Sequence, residues 1–422
     1  MLRRIASPTA RILLTSPGHI DLIDASLASV KGAQQVISSI SSRRAVTQLD
    51  LSHNRLGDEG CTVLFSFLCS DYGRTYGIQK IRLNSNAIGD AGLAAIVEYI
   101  ANNVALKELY LQNNLFSGRD PSFCSRLAAA LNSSCIEVFT LTTNRELSDG
   151  FLHHFLPNLD CPSLIELHLS DVGLTPLAAP TLVQFVASPR CQLHILKLNG
   201  NRLGFRGVRA IVRAIERSNY SLSTIEMYSN DSQDASADTS DVTSADDDDE
   251  IPNGLESWKE NDKLLRPLML RNQHLRRITQ KEALSLLPVS RALLMQGRSP
   301  SIASNEATNP DHKETRDVFR FASLPTELQL YILSFLAPHL SPVQRSRIFT
   351  YASSRSTLPP LLSHLPSSRR IVPVAKNSTP IVDEIPASVE GYKAQPKNIW
   401  DGFRWKWLGS VGCLSFEPNG IL

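Results

Sequence analysis

A phrase of alternating apolar residues followed by a polar turn returns along the first half of this chain at nearly constant spacing. "LDLSHNRLGDEG" begins at Leu49, "IRLNSNAIGDAG" at Ile81, "LYLQNNLFSG" at Leu109 and "FTLTTNRELSDG" at Phe139. "LHLSDVGLTPLA" begins at Leu167 and "LKLNGNRLGFRG" at Leu196, with weaker copies from Ile20 ("IDLIDASL") and Ile225 ("IEMYSND"). The starts at 20, 49, 81, 109, 139, 167, 196 and 225 are 29, 32, 28, 30, 28, 29 and 29 residues apart. The longest interval holds "SDYGRTYG", a loop insertion with two glycines. A period of this length is one supersecondary unit. A single unit cannot bury its apolar face, so neighbours must stack.

Each unit reads L-x-L-x-x-N-x-L. The alternation predicts a short strand with both leucines on one face. The Asn sits where the chain turns, at Asn54, Asn86, Asn114, Asn144, Asn201 and Asn230. Its amide both donates and accepts, so stacked copies can satisfy the backbone groups that a turn exposes. A helix follows. Leu93, Ile96, Val97 and Ile100 fall on one helical face, as do Val208, Ile211, Val212 and Ile215.

These features resemble the long leucine-rich repeats of ribonuclease-inhibitor-like (RNI-like) proteins, over residues 19 to about 230, and the chain has the look of a fungal member of that group. The resemblance implies an α/β horseshoe solenoid with parallel strands inside and helices outside, followed here by a small, mainly helical C-terminal region. Two units depart from the pattern. Ala25 and Val172 replace the Asn, and Glu146 displaces the next Leu by one residue, so local irregularity of the sheet is expected there.

The asparagines are read as ladder residues of the repeat. The better candidates for partner binding lie between the leucines, on the concave face: Arg82, Asn84, Tyr110, Gln112, Thr140, Thr142, His168, Ser170, Lys197, Asn199, Glu226 and Tyr228. This strip is mixed in charge and holds two tyrosines. That composition suits a protein epitope, where aromatic anchors dominate binding energy, and not a phosphate backbone, which calls for a basic stripe. A solvated inner face without a partner is the alternative.

Composition narrows the function classes. Apolar residues make up 42% and charged residues 20%, with a formal net charge of +2, so no global field draws nucleic acid or membrane. The seven cysteines form no CxxC pair, against a zinc site or a disulfide framework. No P-loop, GxGxxG, HExxH or GxSxG motif occurs, and His153–His154 are adjacent on a helix, a poor metal pair. The expectation is a cytoplasmic or nuclear protein-binding protein with no catalytic residue, cofactor, metal or small-molecule substrate. Ran-GTPase-activating proteins are also long-type leucine-rich repeat crescents followed by an acidic segment, which leaves a GTPase regulator as an alternative.

The remaining segments follow from composition. Residues 1–18 form a basic leader; Arg3, Arg4 and Arg11 without acids resemble a mitochondrial presequence, but Pro8 and Pro17 would interrupt its helix. The solenoid is assigned to 19–231 and an acidic, disordered insert to 232–255. Residues 256–297 are helix-forming, divided by Pro267 and Pro288, and expected to cap the open end of the repeats. A polar linker occupies 298–318, a helical segment 319–365, and a Pro/Ser-rich then aromatic tail 366–422. In that tail Trp400, Phe403, Trp405 and Trp407 alternate with Arg404 and Lys406, read as a satellite core or a strand docked on the protein.

"LPTELQLYILSFL", residues 324–336, puts Leu328, Tyr331, Ile332 and Phe335 on one helical face and Leu330 and Leu333 on nearly the opposite side. It resembles the opening of an F-box, through Leu324, Pro325, Glu327, Leu328, Ile332, Leu333, Phe335 and Leu336. In that family the motif docks on the Skp-type adaptor of a cullin ubiquitin ligase, which implies a substrate adaptor whose repeats select the target. The alternative is a helix packed on residues 337–362 or on the solenoid cap.

Overall fold

The computed structural model describes residues 18–230, 254–296, 321, 324–358 and 399–418. The leader, most of the acidic insert, the polar linker and the Pro/Ser-rich stretch therefore lie outside the described residues. The chain divides into two compact units, Met1–Leu275 and Arg276–Leu422.

In the first unit every repeat gives one three-residue strand: β1 His19–Asp21, β2 Gln48–Asp50, β3 Lys80–Arg82, β4 Glu108–Tyr110, β5 Val138–Thr140, β6 Glu166–His168, β7 Ile195–Lys197 and β8 Thr224–Glu226. They form one parallel sheet in sequence order. The returning helices are α1 Ser29–Ser41, α2 Gly57–Cys69, α4 Asp90–Ile100, α5 Pro121–Asn132, α6 Ser148–Phe155, α7 Ala179–Ala187 and α8 Gly204–Ser218. The insertion after α2 forms a single-turn helix, α3 Asp71–Arg74, whose Gly73 N–H is accepted by the Ser70 side chain. This is the α/β solenoid that the repeat spacing implies.

Its core is the leucine phrase itself. Ile81, Leu109, Phe139, Leu167 and Leu196 at the strand centres are fully buried, as are Leu51, Leu83, Leu111, Leu141, Leu169 and Leu198 two residues on. Leu93, Ile96, Ile100, Ile211 and Ile215 meet them from the helices. Each such side chain contributes roughly 1.5–3 kcal/mol of burial energy.

The asparagines bind across repeats. Asn114 Oδ1 accepts from the Asn86 and Ile88 N–H groups at 3.1 and 3.2 Å, and its Nδ2 donates to Leu83 O and Leu111 O, both at 3.1 Å. Asn144 accepts from Asn114 N–H at 2.9 Å, and Asn201 from Val172 and Leu174 N–H at 3.0 and 3.2 Å. The residue before each turn position is left-handed: His53, Ser85, Asn113, Thr143, Asp171, Gly200 and Ser229 have φ from 52° to 70°. Small polar residues and glycine tolerate that conformation best; Thr143, β-branched, does not.

The sheet is not irregular where Val172 and Glu146 break the pattern. Phe139, Leu167 and Leu196 stay in register across β5, β6 and β7. Strand pairing is a backbone property and survives the loss of one Asn: Asn201 still receives the Val172 N–H, the Val172 carbonyl accepts from Ser148, and Leu147 fills the displaced leucine site at 1% exposure.

A 43-residue helix, α9 Gly254–Gln296, begins in the first unit. Leu265, Leu268 and Met269 pack against the repeat core. Asn272 Nδ2 donates to Asn219 O and Leu222 O at 3.1 and 2.7 Å, and Gln273 Nε2 to Ser223 O at 3.0 Å. Arg271 donates to Ile215 O, Glu216 O and Asn219 O over the Tyr220 ring. These side chains satisfy carbonyls at the end of α8 and in the loop after it. The helix is continuous through Pro267 and Pro288, contrary to the division expected from them. Both prolines are exposed, so the carbonyls they leave without a helical partner face water.

The second unit joins α9 from Arg276 with α10 Thr326–Ser334, α11 Pro342–Ser353 and α12 Ile399–Ser410. Ala283, Leu286, Leu333, Leu340, Ile348 and Leu408 form its core. Ser341 and Gln344 make a capping box at the start of α11. The Gln344 amide also donates to Gly412 O and Ser415 O at 2.8 and 3.0 Å, tying down the chain after α12. The aromatic tail is thus helical where described, not a strand. Trp407 packs on the core, and Trp405 lies under Arg276 at 5.1 Å.

Candidate functional site: the concave face

Parallel pairing carries the middle residue of each L-x-L phrase into a single row. Asp50, Arg82, Tyr110, Thr140, His168, Lys197 and Glu226 are register partners from β2 to β8. Asn84, Gln112, Asn199 and Tyr228 lie two residues further along. All of these except Asp50 are legible in the sequence as concave-face candidates; a parallel row is not. Lys80, Glu108, Val138 and Glu166 stand two residues earlier on the same strands and, by the period of two, on the same face. Starting each phrase at its first leucine hid them, although the alternation extends one step back.

The charges on this face neutralise one another across neighbouring strands. Arg82 pairs with Asp50 at 2.9 Å, Lys80 with Glu108 at 2.7 Å and Lys197 with Glu226 at 2.8 Å. Tyr110 is held from three directions: its hydroxyl donates to Glu108 at 2.7 Å, and the Lys80 and Arg82 cations each lie 5.2 Å from its ring centroid. Burial and the Glu108 hydrogen bond push its phenol well above the ordinary range. Burial likewise pushes the Glu226 carboxyl up, but hydrogen bonds from Lys197 and Asn199, with the charges of Lys197 and His168, outweigh it and leave the pKa below the usual value.

Three of the named residues turn out to brace the scaffold. Asn84 Oδ1 accepts the Gln112 N–H at 3.0 Å, Ser170 Oγ the Asn199 N–H at 3.2 Å, and Asn199 Oδ1 the Tyr228 N–H at 2.9 Å. Thr140 lies in the row but is wholly buried, its hydroxyl without a hydrogen-bond partner among the described residues, so it presents nothing to solvent. His168 Nε2 is 3.3 Å from Glu166 Oε2, an ion-pair distance, yet its geometry makes no hydrogen bond. Tyr228, at 67% exposure, is the open aromatic at the β8 end of the sheet.

The F-box-like residues sit in the second unit. Leu333 is buried in its core and Leu330 packs against it. Leu328, Tyr331, Ile332, Phe335 and Leu336 are 49%, 62%, 41%, 66% and 51% exposed. Tyr331 and Phe335 meet edge to face, centroids 5.0 Å apart. Leu324 and Glu327 help line a groove of about 800 Å³ between α10 and α11.

Burial pushes the Cys124, Cys191 and Cys413 thiols up, to about 11, 12 and 12. No group of three metal-ligating side chains occurs among the described residues, and none of their helices is long and apolar enough to cross a membrane.

Comparison with known proteins agrees with the solenoid. Family models described as leucine-rich repeats match residues 45–65, 78–97 and 105–127. The tonsoku-like protein of Bos taurus is 30% identical over 43% of this chain. The ribonuclease inhibitor of Mus musculus is 25% identical over 50%, and the protein phosphatase 1 regulatory subunit 37 homolog of Caenorhabditis briggsae 27% identical over 50%. The chain spans 13%, 51% and 24% of those proteins' own lengths. Repeat phrase, parallel sheet and relatives agree on the fold, a leucine-rich repeat solenoid similar to that of ribonuclease inhibitors over the matched residues.

Proposed function

We propose that the protein is a non-enzymatic recognition scaffold that binds a partner protein on the concave face, with Tyr110 and Tyr228 as anchors. The observation that carries this is the bracing of Tyr110 by Glu108, Lys80 and Arg82. An aromatic ring fixed before binding loses little conformational freedom on association. Internally paired charges favour a partner surface of mixed character over a highly charged one. Two relatives bear names that refer to other proteins, a ribonuclease inhibitor and a phosphatase regulatory subunit. Tyr110→Ala with Tyr228→Ala should abolish capture of partners by the folded protein; undiminished capture rejects this face.

A second reading concerns α10. Its exposed apolar face, Leu328, Tyr331, Ile332, Phe335 and Leu336, favours docking of a Skp-type adaptor of a cullin ubiquitin ligase, with the repeats selecting the substrate. Affinity purification with wild type and Leu328→Asp tests it. Adaptor and cullin subunits recovered only with wild type support the reading, and their absence from both removes it.

A further inference from the structure

Three arginines of α9 each lie over an aromatic ring, and two of them also have an oxygen to donate to. Arg271 stands 4.7 Å from the Tyr220 ring centroid and donates to three backbone carbonyls. Arg291 stands 5.4 Å from that of Tyr351 and donates to the Thr357 carbonyl and hydroxyl. Arg276 stands 5.1 Å from that of Trp405 on α12, yet makes no hydrogen bond or ion pair among the described residues. It is half-buried, and burial alone lowers the pKa of its guanidinium. A cation withdrawn from water is normally matched by an acceptor. The ring face attracts the charge but leaves the fork of N–H groups without an oxygen.

A second donor lies one turn on. Thr279, about 60° round the helix from Arg276, is wholly buried, and its hydroxyl has no hydrogen-bond partner among the described residues. The acids of this unit are engaged elsewhere. Glu282 is held by His339 at 2.6 Å, Glu417 lies 3.6 Å from Arg347, and Glu327 lines the groove beside α10. Exposed cations flank the position instead, Arg277 and Lys281 on α9 and Arg404 and Lys406 on α12. We propose that Arg276, on its Trp405 shelf, is a binding site for the phosphate of a phosphorylated serine or threonine in a partner protein. The donor set names the ligand. A guanidinium fork matches two phosphate oxygens, a third remains for the Thr279 hydroxyl, and the flanking cations suit a dianion. A carboxylate has two oxygens and one charge, and uses less of the set. A nucleic acid calls for a row of cations along a groove and a membrane for an open basic face; one half-buried guanidinium is neither.

The test uses the full chain, isotopically labelled at the tryptophan indole nitrogens. The Trp405 signal, assigned with Trp405→Phe, is followed by NMR during titration with an alanine heptapeptide carrying one central phosphoserine, and with its glutamate and serine forms. The phosphopeptide should shift that signal saturably, in the millimolar range or below. The glutamate form should bind about tenfold more weakly, and the serine form not at all. Arg276→Lys keeps the charge but gives up the fork, and should weaken binding about tenfold. Arg276→Met should abolish binding and leave the thermal midpoint unchanged or higher, because it removes a buried cation that has no acceptor. The proposal is overturned if the phosphopeptide leaves the Trp405 signal in place, if either variant binds it as wild type does, or if the glutamate or serine form binds as tightly. It is overturned equally if a single-stranded oligothymidine or phosphatidylserine vesicles shift the signal at lower concentration. A lowered midpoint in Arg276→Met together with wild-type affinity in Arg276→Lys would mark a purely structural arginine and overturn it too.

Discussion

The Tyr110 hydroxyl donates to Glu108 Oε2 at 2.7 Å, two residues back on the same strand, while Glu108 also receives Lys80 from the preceding strand. One carboxylate thus couples an aromatic anchor to a cation in the neighbouring repeat. Tyr110→Phe should cost about 0.5–1 kcal/mol in stability, the value of one hydrogen bond to a partly exposed charged group. Chemical denaturation of the two proteins measures it. An unchanged midpoint would mean that the hydroxyl bond is not formed in solution.

The ladder makes a larger prediction. Asn114 bonds to four backbone groups in buried surroundings, so Asn114→Ala strands both donors and acceptors. The loss should reach about 2–4 kcal/mol. Asn54→Ala, near the start of the solenoid, should cost less, because fewer repeats depend on it. Equal losses at both sites would contradict a stack whose repeats are supported by neighbours on each side.

Thr143 has φ 61°, left-handed, where the equivalent positions hold His53, Ser85, Asn113, Asp171, Gly200 and Ser229. Thr143→Gly should therefore stabilise the protein by about 1 kcal/mol, read as a higher thermal midpoint. Gly173 gives the converse. Its φ is 77°, and a Cβ would meet the Arg145 carbonyl, so Gly173→Ala should lower the midpoint by more than Thr143→Gly raises it.

Glu226 predicts a pH dependence. Its pKa is lower in the folded state than in the unfolded chain, where it is about 4.5. Its contribution to stability is therefore complete above the unfolded value and is lost as pH falls through the folded value. Glu226→Gln should flatten the stability profile below about pH 4.5, leaving the slope above it unchanged. A parallel displacement of the whole profile would point to lost packing instead.

The fold was readable because the period, the two leucines and the Asn each report a separate requirement of stacking. The row through Arg82, Tyr110 and Lys197 was readable for the same reason, since period two fixes which side chains share a face. Other features were hidden. Lys80, Glu108 and Glu166 fall just before each recognisable phrase. Local rules also misled. Pro267 and Pro288 read as breaks but lie on a solvent-facing side where a helix tolerates them, and the loss of Asn at Val172 leaves β5, β6 and β7 in register. Tyr110 bracing was beyond sequence reasoning, because its partner Lys80 is 30 residues away and adjacent only after stacking.

The central claim, recognition through the concave face, is tested most directly by quantitative capture with four full-length baits: wild type, Tyr110→Ala, Tyr110→Ala with Tyr228→Ala, and Lys31→Ala on the outer helix α1 as a surface control. Partners bound by wild type and Lys31→Ala should be reduced by the single variant and lost from the double variant, with all four baits equally folded. Retention of the same partners at wild-type levels by the double variant would contradict the account.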